Sequence, residues 1–198
     1  MVEWFFLTKP WDSHLQVADS ITLLSGPPSC GKTSLLFQFA INSVSRCRSG
    51  NSKVGIDPDS EIFQRIKMKY IDDDDDEGIK KYFAAFHLND TSPVAVIVDD
   101  FGDFFDERSC QERHGNPRGR DLALVRTLAL CHNAIIHANK KGPCKLVLSD
   151  THHGDSPRSL FIYKRWIPSI FTIKGDGSGS FHLKYNNYWE TVALRAQE

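Results

Sequence analysis

The chain predicts an α/β fold in which a mostly parallel central sheet is flanked by helices and closed by a C-terminal β-hairpin. Three observations predict it. A strand, a glycine-containing loop and a helix follow one another across residues 21–41. Two more apolar runs, at 93–98 and 145–148, read as strands buried on both faces, with a long helical stripe between them. Near the C-terminus, two segments alternate with period two on either side of a glycine-rich turn.

Residues 1–20 are weakly patterned, and their Trp4, Phe5, Phe6 and Trp11 are expected to pack as an N-terminal segment on a single domain spanning 21–198. Ile21-Thr22-Leu23-Leu24-Ser25 reads as a short buried strand. Gly26-Pro27-Pro28-Ser29-Cys30-Gly31-Lys32-Thr33 fits G-x-x-x-x-G-K-[ST], the phosphate-binding P-loop. Its glycines let backbone N–H groups converge on an anion, and the following helix N-terminus adds partial positive charge. Lys32 is expected to reach the terminal phosphates, and the Thr33 hydroxyl to hold Mg²⁺. With Ser34, these residues form the expected nucleotide-binding set.

The loop helix is expected from Lys32 to about Arg46. A strand should follow in a doubly wound sheet, but only Lys53-Val54-Gly55-Ile56 is available, and it is too short to be convincing. EIFQRIKMKY, from Glu61, reads as a short amphipathic helix. Asp72–Asp76 reads as a solvated loop, because clustered like charges resist packing. A helix over about 77–88 should bury Ile79, Tyr82, Phe83 and Phe86.

Pro93-Val94-Ala95-Val96-Ile97-Val98 ends at Asp99-Asp100. A hydrophobic strand closed by an acid has the form of a Walker B element, with Asp99 the expected Mg²⁺ partner of Thr33. A polar loop at 106–120 carries Arg108, Arg113, Arg118 and Arg120. A helix over 121–140 should present Leu122, Val125, Leu128, Cys131 and Ile135 as one stripe. Lys145-Leu146-Val147-Leu148 forms a strand ending at Ser149-Asp150. Ile170–Lys174 and Phe181–Tyr185 form the hairpin.

The composition narrows the function classes. Hydrophobic residues make up 40% and charged residues 25%, as in ordinary soluble domains. The net charge of −1 includes the six acids of 72–77, so the remainder carries −1 + 6 = +5. Any nucleic-acid contact must therefore be local. The five cysteines, Cys30, Cys47, Cys110, Cys131 and Cys144, include no C-x-x-C pair. That argues for a reducing compartment and against a zinc site or disulfide framework. No apolar stretch reaches 18 residues, so no membrane span is expected.

ITLLSGPPSCGKTSLLFQFA, IDPDSEIFQRIKMKY, VAVIVDDFGDFF and CKLVLSD, in that order, resemble the small RecA-like recombinase-paralogue ATPase of Shu-type complexes. The resemblance covers roughly residues 20–175. It implies a RecA-like P-loop ATPase core, a nuclear role in homologous recombination and DNA repair, and weak ATP hydrolysis. It also implies binding to single-stranded DNA and to a SWIM-domain zinc-finger protein, and support of a recombinase. Lys32, Thr33 and Asp99 match the family's catalytic and Mg²⁺ positions.

Two departures stand out. The glutamate that activates water in RecA-like ATPases is not recognisable between Lys53 and Asp57. Asp150 occupies the strand end where an Asn or Gln usually senses the γ-phosphate, and an acid there is expected to repel phosphate. Phe37-Gln38-Phe39-Ala40 has the F-x-x-A form of recombinase contacts, but its place on the loop helix favours core packing.

Single-stranded DNA is expected to meet Arg113, Arg118 and Arg120, and the segment carrying Arg158, Lys164 and Arg165. Phe161, Tyr163 and Trp166 are candidate stacking partners. The alternatives are a non-catalytic P-loop scaffold and a small-molecule P-loop kinase, the latter without an evident acceptor-binding constellation.

Overall fold

The computed structural model describes residues 20–46, 61–71, 76–88, 91–105, 112–113, 115, 118–175, 181–186 and 191–195. All but residue 20 of the predicted 1–20 segment, the short 53–56 run and most of the predicted 106–120 loop lie outside them. The described residues form a six-stranded mixed sheet flanked by helices. The strands are β1 (Ile21–Gly26), β2 (Ala95–Val98), β3 (Lys145–Thr151), β4 (Ser169–Gly175), β5 (Phe181–Asn186) and β6 (Thr191–Arg195). The helices are α1 (Lys32–Arg46), α2 (Glu61–Gln64), α3 (Asp76–Ala84), α4 (Gly119–Asn139) and α5 (Leu160–Trp166).

The sheet order is β2-β3-β1-β4-β5-β6. The first four strands are parallel, so their carboxyl ends, carrying the predicted site residues, open on one side. β5 and β6 continue the sheet antiparallel. The predicted hairpin is therefore not an appendage. Its first strand pairs with β1 inside the parallel sheet, and a third strand, β6, extends it. The alternation of Thr-Val-Ala-Leu-Arg was the available signal for β6.

Two layers cover the sheet. On one face Ile21, Leu23, Leu146 and Leu148 pack with Phe83, Phe101, Leu128 and Ile135. On the other, Leu24, Val147 and Phe171 meet Leu36 and Phe39 of α1. Successive residues of β1 and β3 thus enter different cores, as the pleat requires.

Several expectations need correction. The helix expected over EIFQRIKMKY is only the four residues of α2. Beyond it Met68 and Tyr70 are 58% and 89% exposed, so no apolar face holds further turns in place. Asp76 is not solvated: it is buried at the start of α3, where Arg113 and Lys80 pair with it. β2 packs on both faces, Val96 and Val98 into one core and Ala95 and Ile97 against the other, but its burial is incomplete. Only Val96 is buried, because β2 ends the row of strands among the described residues. Along α4 the buried stripe runs through Ala123, Leu124, Thr127, Leu128, Cys131, Ala134 and Ile135, leaving Leu122 exposed. Phe37 is also exposed, unlike its buried neighbour Phe39, so core packing does not explain the whole F-x-x-A segment.

Candidate functional site

The loop after β1 turns sharply through two residues with left-handed backbone, Ser29 (φ 57°) and Gly31 (φ 85°). Gly31 suits that region, whereas Ser29 holds it at a cost. Gly26, beneath the loop, is needed for a different reason. A Cβ there would come within 2.7 Å of Cys30 Sγ and 3.0 Å of Ile173 Cβ. Helix α1 begins directly after the loop, and Leu35 N–H donates to the Gly31 carbonyl at 3.0 Å.

Lys32 is buried. Its ammonium donates to the carbonyls of Gly26 (3.3 Å) and Pro27 (3.0 Å), so it is folded back over the loop. Thr33 stands at the exposed mouth, and its Oγ1 donates to Asp99 Oδ2 at 2.8 Å. The sequence-predicted Lys32, Thr33 and Asp99 therefore converge. Ser34 is exposed, on the first turn of α1.

Asp99 follows β2, which is not β1's neighbour; β3 lies between them. Register bridges that gap. Val98 pairs with Leu148, which sets Asp99 beside Ser149. Ser149 Oγ donates to Asp99 Oδ1 at 2.6 Å and accepts from the Asp100 N–H at 2.8 Å. Two residues further on, Thr151 Oγ1 donates to Asp100 Oδ1 at 2.7 Å. Ser149 and Thr151 share a strand face, so one side of β3 secures both acids. Sequence reasoning left out Asp100 and Thr151, although period-two alternation along Val147, Ser149 and Thr151 was the available signal.

A cleft of about 700 Å³ opens beside Asp99, lined by its neighbours Thr33, Asp100 and Thr151. The loop from Pro28 to Thr33 forms one wall, and Asp100, Asp103, Thr151 and His153 form the other. One wall thus carries the glycine loop with its lysine and threonine, and the other carries two acids, one hydroxyl and a histidine. Such a site can take a phosphate ester with a hard cation between the two walls. Among the described residues no three His, Cys, Asp or Glu side chains gather as a metal cage. A hydroxyl plus one carboxylate would suit Mg²⁺, which keeps several waters and needs few protein ligands.

Asp150 points to the opposite face of β3, which corrects the expectation that it repels phosphate. Burial pushes it up to about 6, against the pull of the Tyr163 hydroxyl and the Arg120 guanidinium. Tyr163, fully buried on α5, is raised well above its usual range by burial and by the facing carboxylate. Gly102 completes this contact, because a Cβ there would overlap the Asp150 carboxylate.

The predicted DNA residues divide. Arg113 is engaged with Asp76, and Arg120 turns toward Asp150. Arg118 and Arg158 are exposed, as are Lys164 and Arg165. Of the candidate aromatics Tyr163 is buried, and Trp166 is half-buried with its ring edge-on to His132. Phe161 alone is well exposed, at 66%. Phe161, Lys164 and Arg165 fall at i, i+3 and i+4 on one face of α5.

Cys131 and Cys144 are buried thiols raised by desolvation, Cys144 to about 12, which makes them inert. No helix among the described residues is long and apolar enough to cross a membrane. Compared with known proteins, the chain matches no family model, and no curated protein is significantly similar to it.

Proposed function

We propose that this chain is a RecA-like P-loop protein that binds ATP with Mg²⁺, hydrolyses it weakly, and serves homologous recombination as an accessory to single-stranded DNA. The observation that carries the nucleotide part is the hydrogen bond from Thr33 to Asp99, which joins a P-loop hydroxyl to a strand-end acid 66 residues away. The strand-end acid alone is a weak signal, and the P-loop gives it meaning. Their meeting at the carboxyl ends of parallel strands is what a phosphate site requires.

In this reading the backbone N–H groups of Ser29 to Thr33 cradle the phosphates. Lys32 exchanges the Gly26 and Pro27 carbonyls for phosphate oxygens. Mg²⁺, held by Thr33 and Asp99, neutralises phosphate charge when bound. Ser149 keeps Asp99 oriented toward Thr33.

The recombination role rests on the sequence resemblance. It extends to a SWIM-domain zinc-finger partner, a recombinase and a nuclear location. Phe161, Lys164 and Arg165 supply a stacking ring beside two cations, the chemistry that single strands use. Phe37, 47% exposed on α1, is available for a protein contact.

A second reading, a non-catalytic scaffold, draws support from exposed Met68 and Tyr70 after α2, which suit a partner surface. ATP turnover by the full chain, with and without single-stranded DNA, separates the two. Turnover that rises with DNA supports the ATPase. ATP binding without turnover supports the scaffold.

A further inference from the structure

We infer that Asp100 orients the water that attacks the γ-phosphate, supplying the acid that the sequence departs from by lacking a recognisable glutamate near 53–57. The inference rests on the nucleotide reading of the cleft.

Three features single out Asp100. It lines the same cleft as Lys32 and Thr33. Its backbone is left-handed (φ 47°), a region that Asp tolerates but seldom occupies without cause. Its position is fixed from two directions: the Ser149 hydroxyl accepts its N–H, and the Thr151 hydroxyl donates to Oδ1. Among the described residues no hydrogen bond engages Oδ2. The carboxylate is thus held by one oxygen, with the other available to a water. Asp99 is not equivalent, because Thr33 and Ser149 occupy both of its oxygens.

Asp103 is the rival acid, since it too lines the cleft. It lies on the short 3₁₀ turn Phe101–Phe105, and its charge bears on Asp150 behind the strand. The Ser149 and Thr151 hydroxyls donate to Asp99 and Asp100 instead.

The step balances without a further reactant. Water oxygen bonds to the γ-phosphorus while the bridging P–O bond breaks, and its electron pair leaves with ADP. The water's proton ends on the released phosphate, giving ADP³⁻ and H₂PO₄⁻ from ATP⁴⁻ and H₂O. Oδ2 of Asp100 accepts a hydrogen bond from that water and holds its lone pair toward phosphorus.

The test uses the full chain and its Asp100→Asn, Asp103→Asn and Thr151→Val variants. ATP binding is measured first with a fluorescent ATP analogue and Mg²⁺, then single-turnover phosphate release. Asn also tolerates left-handed backbone, so Asp100→Asn should fold. Expected are ATP affinity within about threefold of wild type and phosphate release slowed by roughly 10²-fold, the scale of a lost catalytic group. Thr151→Val should slow release by about tenfold at unchanged affinity, on the scale of one lost hydrogen bond. If wild type does not bind ATP, the nucleotide reading itself fails. If it binds and turns over but Asp100→Asn matches it, or Asp103→Asn carries the loss, the inference is overturned and the nucleotide reading stands. Binding without any wild-type turnover also overturns it.

Discussion

Lys32, Asp150 and Gly102 show how differently single residues express one fold. Lys32 was legible from its motif, and its burial against loop carbonyls adds that the ammonium is already drawn into the site. Asp150 was legible as a strand-end acid, but not the face it takes, because that depends on strand register. Its elevated value has a thermodynamic consequence. Burial pushes Asp150 from an ordinary 3.8 up to about 6, so between those values the folded state holds a proton that the unfolded chain has released. Its contribution to stability is full below pH 3.8 and is lost as pH rises toward 6, by about 2–3 kcal/mol. Unfolding free energies of wild type and Asp150→Asn, measured from pH 4 to 7, should diverge in that window in favour of the variant. Gly102→Ala should destabilise by about 1–3 kcal/mol in denaturant melts, because a Cβ there overlaps the Asp150 carboxylate.

Strand β3 links the two sides of the sheet at the scale of an element. Ser149 and Thr151 hold Asp99 and Asp100 on the cleft side, while Asp150 holds Tyr163 of α5 on the other. Its entry is secured by Asn139, which donates to the carbonyls of Ile135 and Cys144 and accepts the Cys144 N–H. Asn139→Ala should cost about 1–2 kcal/mol in unfolding free energy, since it strips the helix-to-strand turn of these part-buried bonds. Helix α5 turns its basic, aromatic face outward. Lys164→Glu with Arg165→Glu should weaken single-stranded DNA binding at least tenfold and flatten its salt dependence, with melting temperature unchanged. Unchanged affinity would remove α5 from the DNA assignment. The helices most legible in sequence were those with a strong apolar stripe against the sheet. The stretch after α2 misled because its alternating apolar and basic residues mimic an amphipathic helix without a surface to pack on. Asp76 misled because the charge that neutralises it, Arg113, lies 37 residues away.

For the molecule as a whole, the order of parallel strands brings motifs separated by 66 residues to one mouth. The α/β class and the parallel core followed from apolar runs and helical stripes. The place of β4 beside β1 did not, because a period-two strand before a glycine turn looks like half of a free hairpin. Nor did the place of β2 at the end of the row among the described residues, since an apolar run carries no record of which strands flank it. The central claim is that the cleft holds a magnesium nucleotide through Lys32, Thr33 and Asp99. Calorimetric titration of Mg-ATP into the full chain and its Lys32→Ala variant tests it most directly. The account predicts one saturable site per chain, weakened at least tenfold in the variant and dependent on Mg²⁺. No saturation at millimolar ATP, or equal affinity in the variant, would contradict it.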